Sequence, residues 1–180
     1  RQRQMCIRDR DPNKPFGSLG SPEHGQAGRK IGEEGIVLLQ NNNNVLPIDL
    51  NKAKKIAVIV ENAIKMMTVG GGSSSLKVKY EVSPLDGLKN RLGSQAEVVY
   101  ARGYVGDPTG EYNGVKTGQN LKDDRSEDEL LAEALQVAKD ADYVIFFGGL
   151  NKSSHQDCED SDRASLGLPY AQDREISELA

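Results

Sequence analysis

The fold of this chain is decided by the stretch KIAVIV at residues 55–60. Its apolar side chains are nearly continuous and mostly β-branched, which is typical of a central strand in a parallel sheet. A second apolar run, YVIFF at residues 143–147, predicts another buried strand. Residues 96–100 alternate between small or apolar and polar side chains, which predicts a third.

Helix start signals separate these strands. Ser21, Ser83 and Ser126 each precede an acidic residue in the first turn, and a proline follows two of them. Helices are expected over about 22–35, 84–93 and 127–142, with a last one from about residue 169. On the third, the predicted apolar face consists of Leu131, Leu135, Ala138 and Ala141 or Asp142. The alternation of strands and helices predicts an α/β fold with a mostly parallel sheet.

Two loops should meet at one edge of this sheet. One follows Val60 and contains the glycine-rich residues 70–75, and the other follows Gly149. Because binding loops gather at the carboxyl ends of parallel strands, we expect these two loops to be neighbours. Residues 103–125 are rich in Gly, Pro and charge, and we expect a long surface loop there.

The loop after Gly149 is densely acidic. It carries four carboxylates and one cation, which are Asp157, Glu159, Asp160, Asp162 and Arg163. Crowded like charges raise the pKa of at least one member, so that a carboxyl can hold a proton near neutral pH. A general acid requires this property.

Metal and nucleotide sites fit the same loops poorly. His155, Asp157, Cys158 and Glu159 could ligate a metal, but no Cys-x-x-Cys pair is present and zinc spacing fails. Read as a calcium-binding loop that begins at Asp157, the segment has Asp162 instead of glycine at the sixth position and Leu168 instead of glutamate at the twelfth. The glycine-rich stretch matches neither the P-loop nor the dinucleotide pattern. We therefore expect no metal and no cofactor.

Composition excludes several function classes. The chain has 180 residues and a formal net charge of −4, which gives no reason to expect nucleic acid as a partner. No apolar stretch approaches the roughly 20 residues that span a bilayer, so no membrane partner is expected. Cys6 and Cys158 do not form a disulfide framework.

Three segments in the order of the sequence resemble family 3 glycoside hydrolases, the β-glucosidase and β-xylosidase group. The first combines EEGIVLLQN at residues 33–41 with VLPI at 45–48. The second joins GGGSS at 70–74 to YEVSPL at 80–85. The third runs from GLN at 149–151 through Glu159, Asp162 and Arg163 to LGLPY at 166–170, with Gln172 following. The resemblance covers about residues 15–180, and Val60 stands where the family usually has glycine.

This resemblance implies a three-layer αβα sandwich and a role for particular residues. Glu159 would be the general acid/base of a retaining, exo-acting β-glycosidase, with β-glucosidase first and β-xylosidase second. Asp162 and Arg163 would order the acid/base loop. The residues expected near the sugar of a β-glycoside or oligosaccharide are Gly71, Gly72, Ser73 and His155. The nucleophile would belong to an N-terminal (β/α) barrel domain of the same protein, which would be periplasmic or secreted.

The ends of the chain lead us to expect a fragment. Residues 1–10 resemble an adapter-derived, non-native extension, and residues 11–20 a linker. Residues 21–180 would form part of the family's C-terminal sandwich domain, truncated at its C-terminal end, and would be inactive alone. Two alternatives stay open. The chain could be a non-catalytic, flavodoxin-like binding or interaction module, or a small metalloprotein.

Overall fold

The structure is a computed structural model. It describes residues 13, 15, 17–68, 78–108, 111–112, 115–116, 118–151, 156, 162–163 and 165–180. The chain divides into two compact units, residues 1–43 and 44–180.

The first unit contains helix α1, Pro22–Gly35. Ser21 caps it by accepting a hydrogen bond from the His24 backbone N–H at 3.4 Å, and proline occupies the first turn. No residue of α1 is buried. The apolar side chains that follow it at residues 36–39 are exposed as well. The predicted helix start and end are confirmed.

A parallel sheet of three strands forms the centre of the second unit. The strands are β1, Lys55–Ile59, β2, Glu97–Ala101, and β5, Tyr143–Phe146, in the order β2-β1-β5. Ile56 lies opposite Val98 on one side and Tyr143 on the other. The stretch KIAVIV is therefore the central strand, as its composition predicts. A separate antiparallel pair consists of β3, Glu111–Tyr112, and β4, Val115–Lys116.

Helices cover both faces of this sheet. Ile56 and Val58 of β1 share hydrophobic clusters with residues of helix α2, Pro84–Leu92. The alternate residues Ala57 and Ile59 pack in a cluster with helix α3, Glu127–Lys139, and helix α4, Gln172–Leu179. Successive side chains of a strand point to opposite faces, so α2 lies on one face and α3 with α4 on the other. The α/β class and the three-layer αβα sandwich are confirmed.

Local capping explains where the two long helices of this unit begin. The Ser83 hydroxyl accepts from the Asp86 backbone N–H at 3.1 Å. Ser126 and Glu129 form a reciprocal capping box, with the Glu129 carboxylate accepting from the Ser126 backbone N–H at 2.8 Å. Each bond satisfies a donor that the helix itself leaves without a partner.

Several sequence expectations are corrected. Residues 103–125 are not simply a surface loop, because Tyr104 and Leu121 are buried. Strand β5 is an edge strand among the described strands, and Val144 is 44% exposed rather than buried. Asp142 lies beyond α3, where its carboxylate accepts the Lys54 and Lys55 backbone N–H groups at 2.8 and 2.9 Å.

The predicted apolar face of helix α3 is confirmed in part. The buried residues of the helix are Leu130, Leu131 and Ala134, and Ala138 and Ala141 pack partly buried against the core cluster that contains Ala134. The prediction missed Leu130 and Ala134 because it began the apolar stripe one residue late, at Leu131. None of the helices in the described ranges is long and apolar enough to span a bilayer.

Candidate functional site

Buried polar side chains collect at the carboxyl edge of the sheet. They come from the segments that follow all three parallel strands and from α4. A chain that buries polar groups at the end of an apolar strand must satisfy them with partners, because an unpaired buried group costs free energy. The residues are Glu61, Asn62, Lys65, Arg102, Asn151, Gln156, Gln172 and Glu175.

Glu61 is the centre of a charged cluster. Its carboxylate accepts from Arg102 at 2.7 Å and from the Gly106 backbone N–H at 2.7 Å, and Lys65 lies 3.5 Å away. Glu61 is in the 3₁₀ turn directly after β1, while Arg102 directly follows β2. The cluster therefore joins the carboxyl ends of two adjacent strands.

Arg102 connects this cluster to the segment before α3. Its guanidinium donates to the Leu121 carbonyl and lies 3.5 Å from the Asp123 carboxylate. A side-chain hydrogen bond from Arg125 is the largest of the contacts that hold the pKa of Asp123 well below its ordinary value. Asp123 is therefore a permanent anion that helps to fix the position of Arg102.

Asn62 joins the end of β1 to the segment after β5. Its amide N–H donates to the Gly149 carbonyl at 3.1 Å. Its amide oxygen accepts from the Tyr104 hydroxyl and from the Asn151 side-chain amide, both at 3.2 Å. One buried side chain thus holds the segments that follow all three strands.

Gln172 makes two hydrogen bonds with one residue of the same segment. The Gly149 backbone N–H donates to the Gln172 side-chain oxygen at 2.7 Å. In return, the Gln172 amide N–H donates to the Gly149 carbonyl at 3.0 Å. Gly149 has φ of +122°, a backbone region that favours glycine. Nearby, the Asn151 backbone N–H donates to Gln156 at 3.0 Å.

Two side chains hold the segment after β1 in a similar manner. Gln119 donates to the Ile64 carbonyl at 2.8 Å and accepts from the Met66 backbone N–H at 2.7 Å. Glu81 accepts from the Met67 backbone N–H and the Thr68 hydroxyl. These contacts position residues 64–68, which lead into the glycine-rich stretch.

Glu175 is a buried carboxyl without a hydrogen-bond partner in the described part of the chain. The residue is 1% exposed. Burial raises the pKa of Glu175 to about 7, and the charge of Glu127 adds to the rise. Its carboxylate lies against Gly103, where a Cβ would stand 2.5 Å from the nearest Glu175 oxygen. Gly103 also has φ of +73°.

Two stacked tyrosines complete this edge. The rings of Tyr104 and Tyr170 are 5.2 Å apart and inclined by 21°. Burial is the main cause that raises the pKa of Tyr104, followed by the charges of Glu61 and Glu175. Tyr104 therefore stays protonated, and its hydroxyl can donate to Asn62.

The arrangement matches a known family. Residues 36–180 match the glycosyl hydrolase family 3 C-terminal domain. The chain belongs to this family. The prediction made from the three sequence segments is confirmed.

A β-glucosidase and a β-xylosidase are similar over most of the chain. A β-glucosidase of Bacteroides ovatus, BoGH3A, is 42% identical over 172 residues, which cover 92% of this chain and 22% of the relative. A β-xylosidase of Formosa agariphila is 34% identical, over 88% of this chain and 20% of the relative. The chain thus spans about a fifth of the length of these relatives.

Solved structures of β-glucosidases share the fold. A β-glucosidase from Erythrobacter marinus aligns with a TM-score of 0.70 and 31% identity, over 89% of this chain and 22% of that one. A family 3 β-glucosidase from Bifidobacterium adolescentis aligns with a TM-score of 0.67 and 27% identity, over 93% and 21%. These similarities agree with a glycoside hydrolase as the enzyme class.

The sequence-predicted site residues fall into two groups. Outside the described residues lie Glu159, His155, Gly71, Gly72 and Ser73. Asp162 and Arg163 are described, and both are exposed. Neither forms an ion pair with another described residue, so their role in ordering the loop stays a prediction. No group of three His, Cys, Asp or Glu side chains in the described ranges could hold a metal ion.

The structure brings together the segments in which the two predicted loops begin. Asn62, after β1, bonds to Gly149 and Asn151, after β5. Sequence reasoning expected these two segments to be neighbours but missed the side chains that join them. A signal existed, because Glu61 and Arg102 are oppositely charged residues placed directly after predicted buried strands, where a charged side chain that becomes buried requires a partner.

Proposed function

We propose that this chain is the part of a retaining, exo-acting β-glycosidase that supplies the general acid/base, Glu159. β-Glucosidase is the first activity and β-xylosidase the second. The observation that carries the proposal is the 42% identity to a β-glucosidase over 92% of the chain. The Glu159 segment also follows β5, whose carboxyl end shares one edge with those of β1 and β2.

The chemistry requires two carboxyl groups. One protonates the departing glycosidic oxygen and later deprotonates water, while the other attacks the anomeric carbon, about 5–5.5 Å away. We assign the first role to Glu159. The second belongs to a (β/α) barrel domain, which we propose as the partner domain within a longer protein.

The supporting residues keep their predicted roles in this proposal. Asp162 and Arg163 order the acid/base loop, and the cation favours ionised carboxylates near it. Gly71, Gly72, Ser73 and His155 lie near the sugar. The partly buried contacts of Glu81 and Gln119 support this assignment, because they position the segment that leads to Gly71.

The proposed substrate is a terminal β-linked sugar, and the longer protein is periplasmic or secreted. The location is carried over from the resemblance to the family. Export of the complete protein can be tested by fractionation of cells that express it from its own gene.

The first test is the variant Glu159→Ala in the complete enzyme, assayed on aryl β-glucosides and β-xylosides. Losing the acid/base spares glycosylation by substrates with good leaving groups but stalls deglycosylation. Added azide should then restore turnover and yield the β-glycosyl azide. The comparison of glucosides with xylosides decides between the two activities.

The matched control is Asp157→Asn, which removes a neighbouring carboxylate of the same loop. The Asp157→Asn enzyme should respond to azide in the same way as the unmodified enzyme. If Glu159→Ala retains the activity of the unmodified enzyme, the catalytic carboxyl lies elsewhere. A complete protein without glycosidase activity would favour the non-catalytic binding module instead.

A further inference from the structure

We propose that Gln172 is a positioning residue for the general acid/base, acting through the backbone of Gly149. This inference rests on the proposed role of Glu159. Gln172 is the first residue of α4, and Gly149 precedes the acidic loop. The two residues therefore tie together the beginning and the end of the segment that carries Glu159.

The side-chain amide of Gln172 pairs with both backbone hydrogen-bonding groups of Gly149. Both backbone groups of Gly149 bond to the Gln172 side chain, at 2.7 and 3.0 Å. Gln172 is fully buried, so no solvent competes for these bonds. A side-chain amide is needed here because it combines a donor and an acceptor, which a carboxylate or a thioether does not.

The packing leaves little freedom for the contact to shift. A Cβ at Gly148 would lie 2.7 Å from the Phe146 ring and 3.4 Å from the Gln172 oxygen. The backbone therefore approaches Gln172 closely at two consecutive residues. This close approach fixes the direction in which the chain leaves β5.

Asn62 provides a second anchor at the same place. It donates to the Gly149 carbonyl at 3.1 Å, so that this carbonyl accepts from two buried amides. It also accepts from the Asn151 side chain at 3.2 Å. Residues 149 and 151 are thereby attached to the turn that follows the central strand, which is hydrogen-bonded to a neighbouring strand on each side.

The catalytic consequence follows from the geometry of proton transfer. A general acid must stand within hydrogen-bond reach of the leaving oxygen, and a displacement of about 1 Å can lower a rate on the order of 100-fold. If the anchors at the start of the loop are lost, the loop holds Glu159 in the productive position for a smaller fraction of the time. The loss should be greatest for substrates whose departure depends most on protonation.

The test uses Gln172→Met in the complete enzyme, because methionine has a similar size but no amide. kcat and KM are measured for a series of aryl β-glucosides from dinitrophenyl to phenyl. We expect kcat/KM, which reports the glycosylation step, to fall roughly 10- to 100-fold for poor leaving groups and to change little for dinitrophenyl. The dependence of kcat/KM on the leaving group should therefore become steeper.

The matched control is Gln136→Met, the same substitution at an exposed glutamine of α3. It should leave the leaving-group dependence unchanged. Asn62→Ser serves as the second variant if Gln172→Met does not fold, and it should steepen the dependence to a smaller extent. Thermal unfolding of each variant shows that it is folded at the assay temperature.

An equal loss of kcat/KM for all leaving groups, or no change in kcat/KM for any of them, would overturn the proposal. Combining Gln172→Met with Glu159→Ala should add nothing to the leaving-group dependence of Glu159→Ala. If azide rescues Glu159→Ala while Gln172→Met behaves as the unmodified enzyme, only this inference fails. If azide does not rescue Glu159→Ala, the proposed role of Glu159 fails, and this inference fails with it.

Discussion

Val60 adopts a backbone conformation that is almost confined to glycine. Its φ is +86° and its ψ is 156°. Both of its backbone groups are bonded, since the N–H donates to the Ala101 carbonyl at 3.1 Å and the carbonyl accepts from Ala63 at 3.1 Å. Such conformations cost about 1–3 kcal/mol and persist only where the surroundings determine them.

The backbone of Val60 predicts an inverted order of stability for two variants. Replacing a buried valine by glycine normally destabilises more than replacing it by alanine, by about 1 kcal/mol. At residue 60 glycine also relieves the strain. We therefore expect Val60→Gly to be more stable than Val60→Ala by about 1 kcal/mol, measured by urea denaturation.

The control pair is Val58→Gly and Val58→Ala, at an equally buried residue within β1. There the usual order should hold, with glycine the less stable. If Val60→Gly were the less stable of its pair as well, the strain at residue 60 would be refuted.

The raised pKa of Glu175 predicts that stability falls with rising pH. The folded-state pKa of about 7 exceeds the value of about 4.3 in an unfolded chain. Between these pH values the folded state holds a proton that the unfolded state has lost. Stability from this group is therefore complete below about pH 4.3 and decreases up to about pH 7, by about 4 kcal/mol.

Glu175→Gln should remove this decrease and raise the stability at pH 7.5. The measurement is the free energy of unfolding at pH 4.5, 6 and 7.5, corrected for other groups by comparison with the unmodified chain. Glu178→Gln, at an exposed position on the same helix, is the control. An unchanged pH profile in Glu175→Gln would contradict the prediction.

At the level of elements, a buried ion pair joins the segments that follow β1 and β2. The pair of Arg102 with Glu61 connects the end of β2 to the turn after β1, and both side chains are nearly inaccessible to solvent. Breaking a buried pair by removing one partner leaves an uncompensated charge. The exposed pair of Arg174 with Asp128 at 2.8 Å connects α4 to α3 and is open to water.

These two pairs should differ widely in their effect on stability. Arg102→Met should lower the free energy of unfolding by about 3–5 kcal/mol, because Glu61 stays buried without its main cation. Arg174→Met should lower it by less than about 1 kcal/mol. Urea denaturation measures both. Equal effects would show that the Glu61 cluster is open to solvent.

Local signals in the sequence predicted the elements well, and long-range contacts escaped them. The starts of α2 and α3 follow from Ser83 and Ser126, whose caps involve residues three positions away. The side chains that join segments, such as Asn62 and Gln172, contact residues 87 and 23 positions away. No local pattern specifies such partners, although the strand order brings them to one edge.

At the scale of the whole molecule, the chain spans about a fifth of its characterised relatives. The proposed nucleophile belongs to another domain. We therefore expect the chain alone to release no measurable nitrophenol from aryl β-glucosides, while the complete enzyme does. Turnover by the chain alone would refute the division of the active site between two domains.

The family and the three-layer fold could be predicted from the sequence, but the site could be predicted only in part. The prediction that Glu159 is the acid/base rests on a resemblance and on acidic neighbours that are adjacent in sequence, and it stays a prediction. The buried cluster around Glu61 was missed, because its meaning depends on Arg102 and Gly106, more than forty residues away. Charge burial is a property of the folded chain and leaves no local periodicity.

The contact between Glu175 and Gly103 has a consequence for evolution. Any residue other than glycine at position 103 would place its Cβ against the carboxyl group, and would have to adopt an unfavourable φ. A substitution there requires the end of the Glu175 side chain to move or to be replaced by a shorter side chain. We therefore expect substitutions at position 103 among homologues to be accompanied by a shorter side chain at position 175.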